Sequence, residues 1–302
     1  MSRIDEVLQR RASAFEGGAN RAADFGGDLA GHRPDASVLD WFAVERSAVG
    51  VENPHPRIVA PAARVERTIK RLTVLPELEG KLVVSRTIPS VTMEQYRRLA
   101  AVLSELQGQR GLRTLMVSSA LPREGKSLTI ANLALTLSES FQRRVLLIDA
   151  DLRRPSLHSM FGIHNGAGLA DVARGAGPAK VIEITPSLSL LRAGRGDANQ
   201  LAQLTSDSVR ALIDDAASRF DWVLLDTPPV GLLSDAQLVA RLADGVLFVI
   251  AAGVTSYQLV RRCIAELGPE RIVGTVLNKV DRRHLVAGSY YGGYYGETTH
   301  RK

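Results

Sequence analysis

Short, continuous apolar runs that alternate with helix-like segments constrain the fold of this chain more than any other feature of its sequence. Each run has the length of a strand, and stretches with helical periodicity separate them. Strands that are apolar on both faces are typical of parallel sheets covered by helices on both sides. We therefore predict an α/β fold with a mostly parallel sheet and helices on both faces, in which ligands bind beyond the carboxyl ends of the strands. The predicted strands are 114–120, 144–149, 188–192, 222–226, 245–252 and 272–277.

Helical periodicity places helices before and between these strands. The earliest predicted helix aligns Tyr96, Leu99, Leu103 and Leu106 on one face. The predicted helices are 93–107, 126–141, 206–219, 235–243 and 256–267.

Composition excludes some function classes without choosing one. The 302 residues carry 38 Lys and Arg against 32 Asp and Glu, and the net charge of +6 permits an anionic partner without requiring one. The single cysteine, Cys263, excludes an intramolecular disulfide framework, and no Cys/His cluster has zinc spacing. We expect a reducing, cytosolic compartment. No apolar run approaches the roughly 20 residues of a membrane-spanning helix.

Three regions follow from these patterns. Residues 1–92 form an N-terminal region that we predict to be largely disordered, with short helical or extended pieces. Within it, residues 2–11 have the spacing of a short amphipathic helix, and a frayed tail is the alternative. Residues 93–287 form the globular domain, and residues 288–302 form a flexible tail.

The segment Ala120-Leu-Pro-Arg-Glu-Gly-Lys-Ser127 lies between a predicted strand and a predicted helix, which is the context that a P-loop requires. Backbone N–H groups at the start of the helix favour a polyphosphate there. Lys126 is expected to reach the β- and γ-phosphates, and the Ser127 hydroxyl to bind Mg²⁺. A chance loop is the alternative. The remaining predicted nucleotide-binding residues of the loop are Pro122, Arg123, Glu124, Gly125 and Leu128.

Aspartates end two of the apolar strands, where a charge is costly unless it is paired or bound to a metal. Asp149 and Asp226 are each the last residue of a strand, and both are expected near Mg²⁺. Asp151 could bind the metal or its water, or accept a hydroxyl proton. The alternative is that it caps the following turn or pairs with Arg153. The alternative for Asp226 is a cap of the turn that two prolines make.

Tyrosines are concentrated near the end of the chain, where four of the six tyrosines of the sequence fall within six residues. Nothing around them is apolar, so a role in a core is excluded. They are predicted acceptors of phosphoryl groups, which would add about −1.5 to −2 charge each. A sticky low-complexity tail and a platform for base stacking are the alternatives. The four are Tyr290, Tyr291, Tyr294 and Tyr295.

From about Met93 to the C-terminus, these segments together resemble the bacterial tyrosine kinases (BY-kinases) of capsule and exopolysaccharide synthesis. The resemblance rests on Pro-Arg-Glu-Gly-Lys-Ser, Leu-Leu-Ile-Asp-Ala-Asp-Leu-Arg-Arg-Pro, Leu-Leu-Asp-Thr-Pro-Pro-Val and the tyrosine cluster. It implies a P-loop NTPase fold of the MinD/ParA-like type and an autokinase that uses ATP and Mg²⁺. It also implies that the tail is phosphorylated in trans by a neighbouring subunit.

The resemblance implies a role for each matching residue. Lys126 contacts phosphates, Asp149 or Asp151 assists deprotonation of the hydroxyl, and Asn278 recognises the nucleotide base. The implied metal site consists of Ser127, Asp149 and Asp226.

Two positions depart from related patterns. The partition ATPases carry an early P-loop lysine where this chain has Leu121, which favours a kinase over an ATPase switch. The kinase family's oligomerisation helix reads Glu-x-x-Arg-x-x-Arg, whereas here Glu94 and Arg97 are followed by Ala100, with Arg98 as a possible substitute.

The resemblance also implies partners and a location. The partners are further copies of the chain, a membrane-embedded polysaccharide co-polymerase whose cytoplasmic tail activates the kinase, and a cognate tyrosine phosphatase. No nucleic acid is expected. The implied location is cytoplasmic, at the inner face of the membrane through that partner. A MinD/ParA-like ATPase switch and a nucleotide-bound scaffold are the alternative functions.

Overall fold

The protein is represented by a computed structural model that describes residues 65–69, 78–85, 87–196, 204–231 and 235–281. The predicted helix at residues 2–11, most of the N-terminal region 1–92 and the tyrosine tail 288–302 lie outside the described residues. Within the described ranges, no helix combines the length and apolarity that crossing a membrane needs.

The described residues form one eight-stranded sheet with the strand order β1-β4-β5-β3-β6-β2-β7-β8. Neighbouring strands pair in parallel except β4 and β5, which are antiparallel. This confirms the mostly parallel α/β fold. The strands are β1 (Val65–Ile69), β2 (Thr114–Ser119), β3 (Val145–Asp149), β4 (Ala179–Thr185), β5 (Leu188–Leu191), β6 (Trp222–Asp226), β7 (Gly245–Ala251) and β8 (Ile272–Asn278).

The predicted helices are present with shifted ends. The first begins at Ser90, three residues earlier than predicted, and ends where Gly111 adopts a left-handed φ of 70°. Strands β1 and β4 and the short helices α3 and α4 were not predicted. The helices are α1 (Ser90–Arg110), α2 (Lys126–Glu139), α3 (Leu157–Met160), α4 (Leu169–Ala173), α5 (Asp207–Arg219), α6 (Asp235–Ala240) and α7 (Tyr257–Leu267), and a 3₁₀ turn covers Pro269–Arg271.

Side chains of the central strands alternate between two apolar cores, one on each face of the sheet. In β2, Met116 packs in one core, whereas Leu115 and Val117 pack in the other. In β6, Leu225 joins the first core and Leu224 the second. Two covered faces explain why these strands are continuous apolar runs without polar alternation.

Residues just before α1 pack in the second of these cores, the one that contains Leu115 and Leu224. Leu82 is fully buried, and the Asn132 side chain of α2 bonds the chain on either side of it. Its Oδ1 accepts from the Val83 N–H at 2.9 Å, and its Nδ2 donates to the Lys81 carbonyl at 2.9 Å. The domain boundary at 92/93 stays a prediction, and the segment Leu78–Ser85 contacts the domain that follows it.

Candidate nucleotide-binding site

Three adjacent strands bring the predicted site residues to one edge of the sheet. Asp149 ends β3 and Asp226 ends β6, and these two residues are direct partners in the parallel register. Strand β2 pairs with the other side of β6 and leads through residues 120–125 into α2, which begins at Lys126. The crossover order β3-β6-β2 therefore places both aspartates beside the P-loop, at the carboxyl edge where α/β folds bind ligands.

Contacts with Asn278 and Lys279, at the end of β8, hold the P-loop main chain in a conformation with positive φ values. Gly125 has a φ of 96°, and a Cβ there would lie 2.1 Å from Asn278 Nδ2, so both backbone and space require glycine. Arg123 has a φ of 64°, which is a strained value for a residue with a side chain. Lys279 Nζ donates to the Arg123 carbonyl at 2.5 Å, and Asn278 Nδ2 donates to the Glu124 carbonyl at 2.8 Å.

The start of α2 offers donors to an anion. The first intrahelical bond runs from the Thr129 N–H to the Gly125 carbonyl at 2.8 Å. The N–H groups of the first turn therefore have no acceptor in their own helix, and no side chain caps them. Aligned peptide dipoles add positive potential at this end. Lys126 is mostly buried there, with a side chain 12% exposed.

Asp226 is a fully buried carboxylate, and neither of its oxygens accepts a hydrogen bond of normal geometry in the described part of the chain, although the Ser127 hydroxyl and the Thr227 N–H lie nearby. Burial raises the pKa of Asp226 to about 6, and the charge of Asp151 adds to the rise, whereas Lys126 and the Ser127 hydroxyl oppose it. An ionised carboxylate in this setting is costly unless a cation compensates it. Both oxygens are therefore available to a divalent cation.

Asp149 is also fully buried, but its oxygens are hydrogen-bonded. Its Oδ2 accepts from the N–H groups of Ser156 and Leu157, at 3.0 Å each. Burial and the neighbouring charge of Asp226 raise the pKa of Asp149 to about 8, although those two hydrogen bonds lower it. A carboxyl group with this raised pKa is largely protonated near neutral pH, and a bound cation would favour its ionised form.

Asp151 caps a turn, as one of the sequence alternatives had it, and also contacts the P-loop lysine. Its Oδ1 accepts from the Arg154 N–H at 3.0 Å, so it caps the turn that follows. Its Oδ2 lies 3.9 Å from Lys126 Nζ, so it also faces the P-loop. The side chain is 7% exposed, so it is largely buried.

The residues present fit a bound Mg²⁺. No group of three or more His, Cys, Asp and Glu side chains in the described ranges forms a metal cage. Mg²⁺ does not need one, because it keeps several waters and takes one or two carboxylates together with phosphate oxygens. The oxygens of Asp226, beside Ser127, match that requirement.

The structure places two predicted nucleotide-binding side chains away from an open ligand position. The Glu124 carboxylate points inward and is 2% exposed, so only its backbone is available to phosphate. The Asn278 amide contacts the P-loop carbonyl, and its role in recognising a base stays a prediction. Sequence reasoning missed Lys279 and Thr255, which contact the loop from 156 and 131 residues away. No local motif marked either residue.

Comparison with known proteins identifies the family. The CobQ/CobB/MinD/ParA nucleotide binding domain matches residues 123–289. The tyrosine-protein kinase YwqD of Bacillus subtilis is 33% identical over 220 residues, which cover 71% of this chain and 91% of the relative. The chain belongs to the bacterial tyrosine kinases. This confirms the recognised family and its P-loop nucleotide-binding fold.

Other relatives are longer than this chain. The succinoglycan biosynthesis transport protein ExoP of Rhizobium meliloti is 34% identical over 232 residues, which are 70% of this chain but only 29% of ExoP. The kinase domain of the Escherichia coli tyrosine kinase ETK is 28% identical with a TM-score of 0.58, over 68% of this chain and 80% of that domain. About 70% of this chain therefore matches a part of ExoP and most of the ETK kinase domain.

Proposed function

We propose that this chain is an autokinase that transfers the γ-phosphoryl group of ATP to its own C-terminal tyrosine cluster, in trans between subunits. One observation carries the proposal: Lys126, Asp149, Asp151 and Asp226 converge beside the P-loop, in a member of a tyrosine-kinase family whose chain ends in clustered tyrosines. The acceptors are Tyr290, Tyr291, Tyr294 and Tyr295.

In the proposed reaction, a tyrosine oxygen forms a bond to the γ-phosphorus. The bond from that phosphorus to the β–γ bridging oxygen breaks, and ADP leaves. The hydroxyl proton passes to Asp149 or Asp151. Lys126 Nζ and the N–H groups at the start of α2 stabilise the charge on the transferred group.

Ser127, Asp149 and Asp226 would hold the Mg²⁺ ion. When bound, the ion neutralises charge on the β- and γ-phosphates. The residues then act mainly by position, because phosphoryl transfer needs alignment and charge stabilisation more than covalent chemistry. Asn278 would contact the base.

Phosphorylation of the tail would regulate polymerisation or export of an exopolysaccharide or capsule. Each phosphate adds about −1.5 to −2 charge, so modified tails on adjacent subunits repel and loosen the homo-oligomer. A phosphatase would restore assembly. The naming of ExoP as a succinoglycan biosynthesis transport protein supports a role in polysaccharide synthesis or transport. The proposed activator is a membrane-embedded co-polymerase, which would hold this chain at the inner face of the membrane. We further propose residues 93–287 as the kinase domain.

A MinD/ParA-like ATPase switch is the second candidate, because the matching nucleotide-binding domain family includes such proteins. The switch would hydrolyse ATP without needing its tail. Leu121 argues against it, since this residue stands where those ATPases carry their early lysine. A nucleotide-bound scaffold would show no turnover at all.

Intact-mass spectrometry of the recombinant chain tests the proposal, with Lys126→Met as the inactive comparison. We expect additions of about 80 Da each in the wild type, mapped to the four tail tyrosines and absent from the variant. A chain with all four tyrosines changed to phenylalanine should hydrolyse ATP and gain no mass. If the wild type hydrolyses ATP but gains no phosphotyrosine, even with the cytoplasmic segment of its co-polymerase, the chain is an ATPase switch.

A further inference from the structure

Glu124 lies inside the P-loop, yet its carboxylate is turned away from the position of the phosphates. The residue is 2% exposed and accepts three hydrogen bonds. Oε2 accepts from the Leu121 N–H at 2.6 Å, and Oε1 accepts from the Ala251 N–H at 3.1 Å and from the Thr255 hydroxyl. A buried carboxylate with three donors is satisfied, so it is stable where it lies.

These three donors belong to different parts of the fold. Leu121 begins the P-loop, so its bond closes the loop on itself. Ala251 ends β7, the strand beside β2. Thr255 precedes Ser256, whose side chain caps the start of α7. One carboxylate therefore ties the loop to a neighbouring strand and to the start of a helix.

The same loop segment is fixed from β8 through its carbonyls. The Arg123 and Glu124 carbonyls accept from Lys279 and Asn278, so they face those side chains. Carbonyls that face an anion would repel it, and turning them aside favours N–H groups towards the ligand. The positive φ of Arg123 is strained and persists because the surrounding contacts hold it.

We propose that Glu124 is a positioning residue: its carboxylate holds the P-loop main chain in the phosphate-binding shape before the nucleotide arrives, and ties that shape to Thr255. The inference rests on the proposed nucleotide site and adds a determinant of its affinity. Because Glu124 acts on the loop that binds phosphates, its effect is independent of the base.

Glu124→Gln tests this with little change in size. An amide replaces one accepting oxygen with a donor, so either the Leu121 or the Ala251 N–H loses its acceptor. We expect the affinities for ATP and for inorganic tripolyphosphate, measured calorimetrically with Mg²⁺, to fall by the same factor of about ten. Glu139→Gln makes the same chemical change at an exposed position of α2 and should leave both affinities unchanged.

Substitution of Thr255 provides a second test in which Glu124 itself is unchanged. Thr255→Val should weaken both affinities about threefold, and Thr255→Ser should restore them because it keeps the hydroxyl. The double variant should resemble Glu124→Gln alone, because the two residues share one contact. Melting temperatures of the variants separate loss of binding from loss of fold. If Glu124→Gln does not fold, the difference in ligand affinity between Thr255→Val and Thr255→Ser tests the inference instead.

Wild-type affinity for tripolyphosphate in both Glu124→Gln and Thr255→Val would overturn the inference, as would a loss confined to ATP. The outcome is separate from that of the proposed function. A wild type that binds both ligands but never gains phosphotyrosine refutes the autokinase and leaves the role of Glu124 standing. Normal phosphorylation with unchanged binding in both variants refutes only the role of Glu124.

Discussion

The buried carboxylates on the two flanks of the P-loop differ in the hydrogen bonds that they accept. On the β7–β8 flank, Glu124 accepts three hydrogen bonds, and Asn278 and Lys279 bond the loop's carbonyls. On the β3–β6 flank, Asp226 is equally buried, and neither of its oxygens accepts a hydrogen bond of normal geometry in the described part of the chain. A satisfied carboxylate fixes structure, whereas an unsatisfied one marks a place for a cation.

The difference follows from the supply of donors. Backbone N–H groups and a hydroxyl surround Glu124, so no other partner is needed. Asp226 shares its surroundings with Asp149 and Asp151, and like charges make the ionised form still more costly. One flank is therefore complete without ligand, and the other has the carboxylate that we propose binds the metal of the nucleotide.

The largest effect should come from removing the unsatisfied carboxylate. In Asp226→Asn, phosphotyrosine formation should fall at least about a hundredfold, because the metal loses a ligand. In the presence of a chelator, the same variant should melt a few degrees higher, because the cost of burying an ionised carboxylate is gone. Quantitative phosphotyrosine assays and thermal melts measure the two effects.

Asp214→Asn is the matched control, since Asp214 is exposed on α5. It should change neither the rate nor the melting temperature. If Asp226→Asn keeps the wild-type rate and Mg²⁺ dependence, Asp226 does not bind the metal and the proposed difference between the two flanks is wrong.

An intermediate effect should appear in the pH dependence of stability without metal. Asp149 and Asp226 have pKa values raised to about 8 and about 6, so the native state binds more protons than the unfolded state above the ordinary aspartate pKa. Their contribution to stability is therefore greatest at low pH. It declines as pH rises from about 4 to about 8.

Guanidinium unfolding at a series of pH values measures this slope, and Asp226→Asn isolates its source. The free energy of unfolding of the wild type should fall relative to the variant as pH rises through the lower part of that window. Equal slopes for the two chains would mean that Asp226 is not held in its protonated form by burial.

The smallest effect should come from the satisfied flank. Asn278→Ala removes the bond to the Glu124 carbonyl and should weaken binding of ATP and of tripolyphosphate alike, by about threefold to tenfold. Calorimetry with both ligands separates two roles of this residue. A loss for ATP with none for tripolyphosphate would assign Asn278 to the base, as the family resemblance implies.

Local sequence patterns anticipated much of the fold and the polar edge of the site. The strands β2, β3, β6 and β7 were predicted nearly to their ends, because burial on both faces makes each a continuous apolar run. The edge strand β8 was also predicted nearly to its ends, although it is only partly buried. Strand β4 was missed although Val181, Ile182 and Ile184 are buried in it. It is interrupted by charged residues and runs antiparallel to β5 after a short turn, so it lacks the pattern of a buried parallel strand.

By itself, the sequence determined that a P-loop follows an apolar strand, that aspartates end two others, and that tyrosines close the chain. Those features are local, because residue order and periodicity encode them. Only the tertiary structure decided that Asp149 and Asp226 lie side by side, and that Glu124 turns inward while Asp226 accepts no hydrogen bond of normal geometry from the described residues. These outcomes depend on strand order and on hydrogen bonds across more than a hundred residues, which local sequence does not specify.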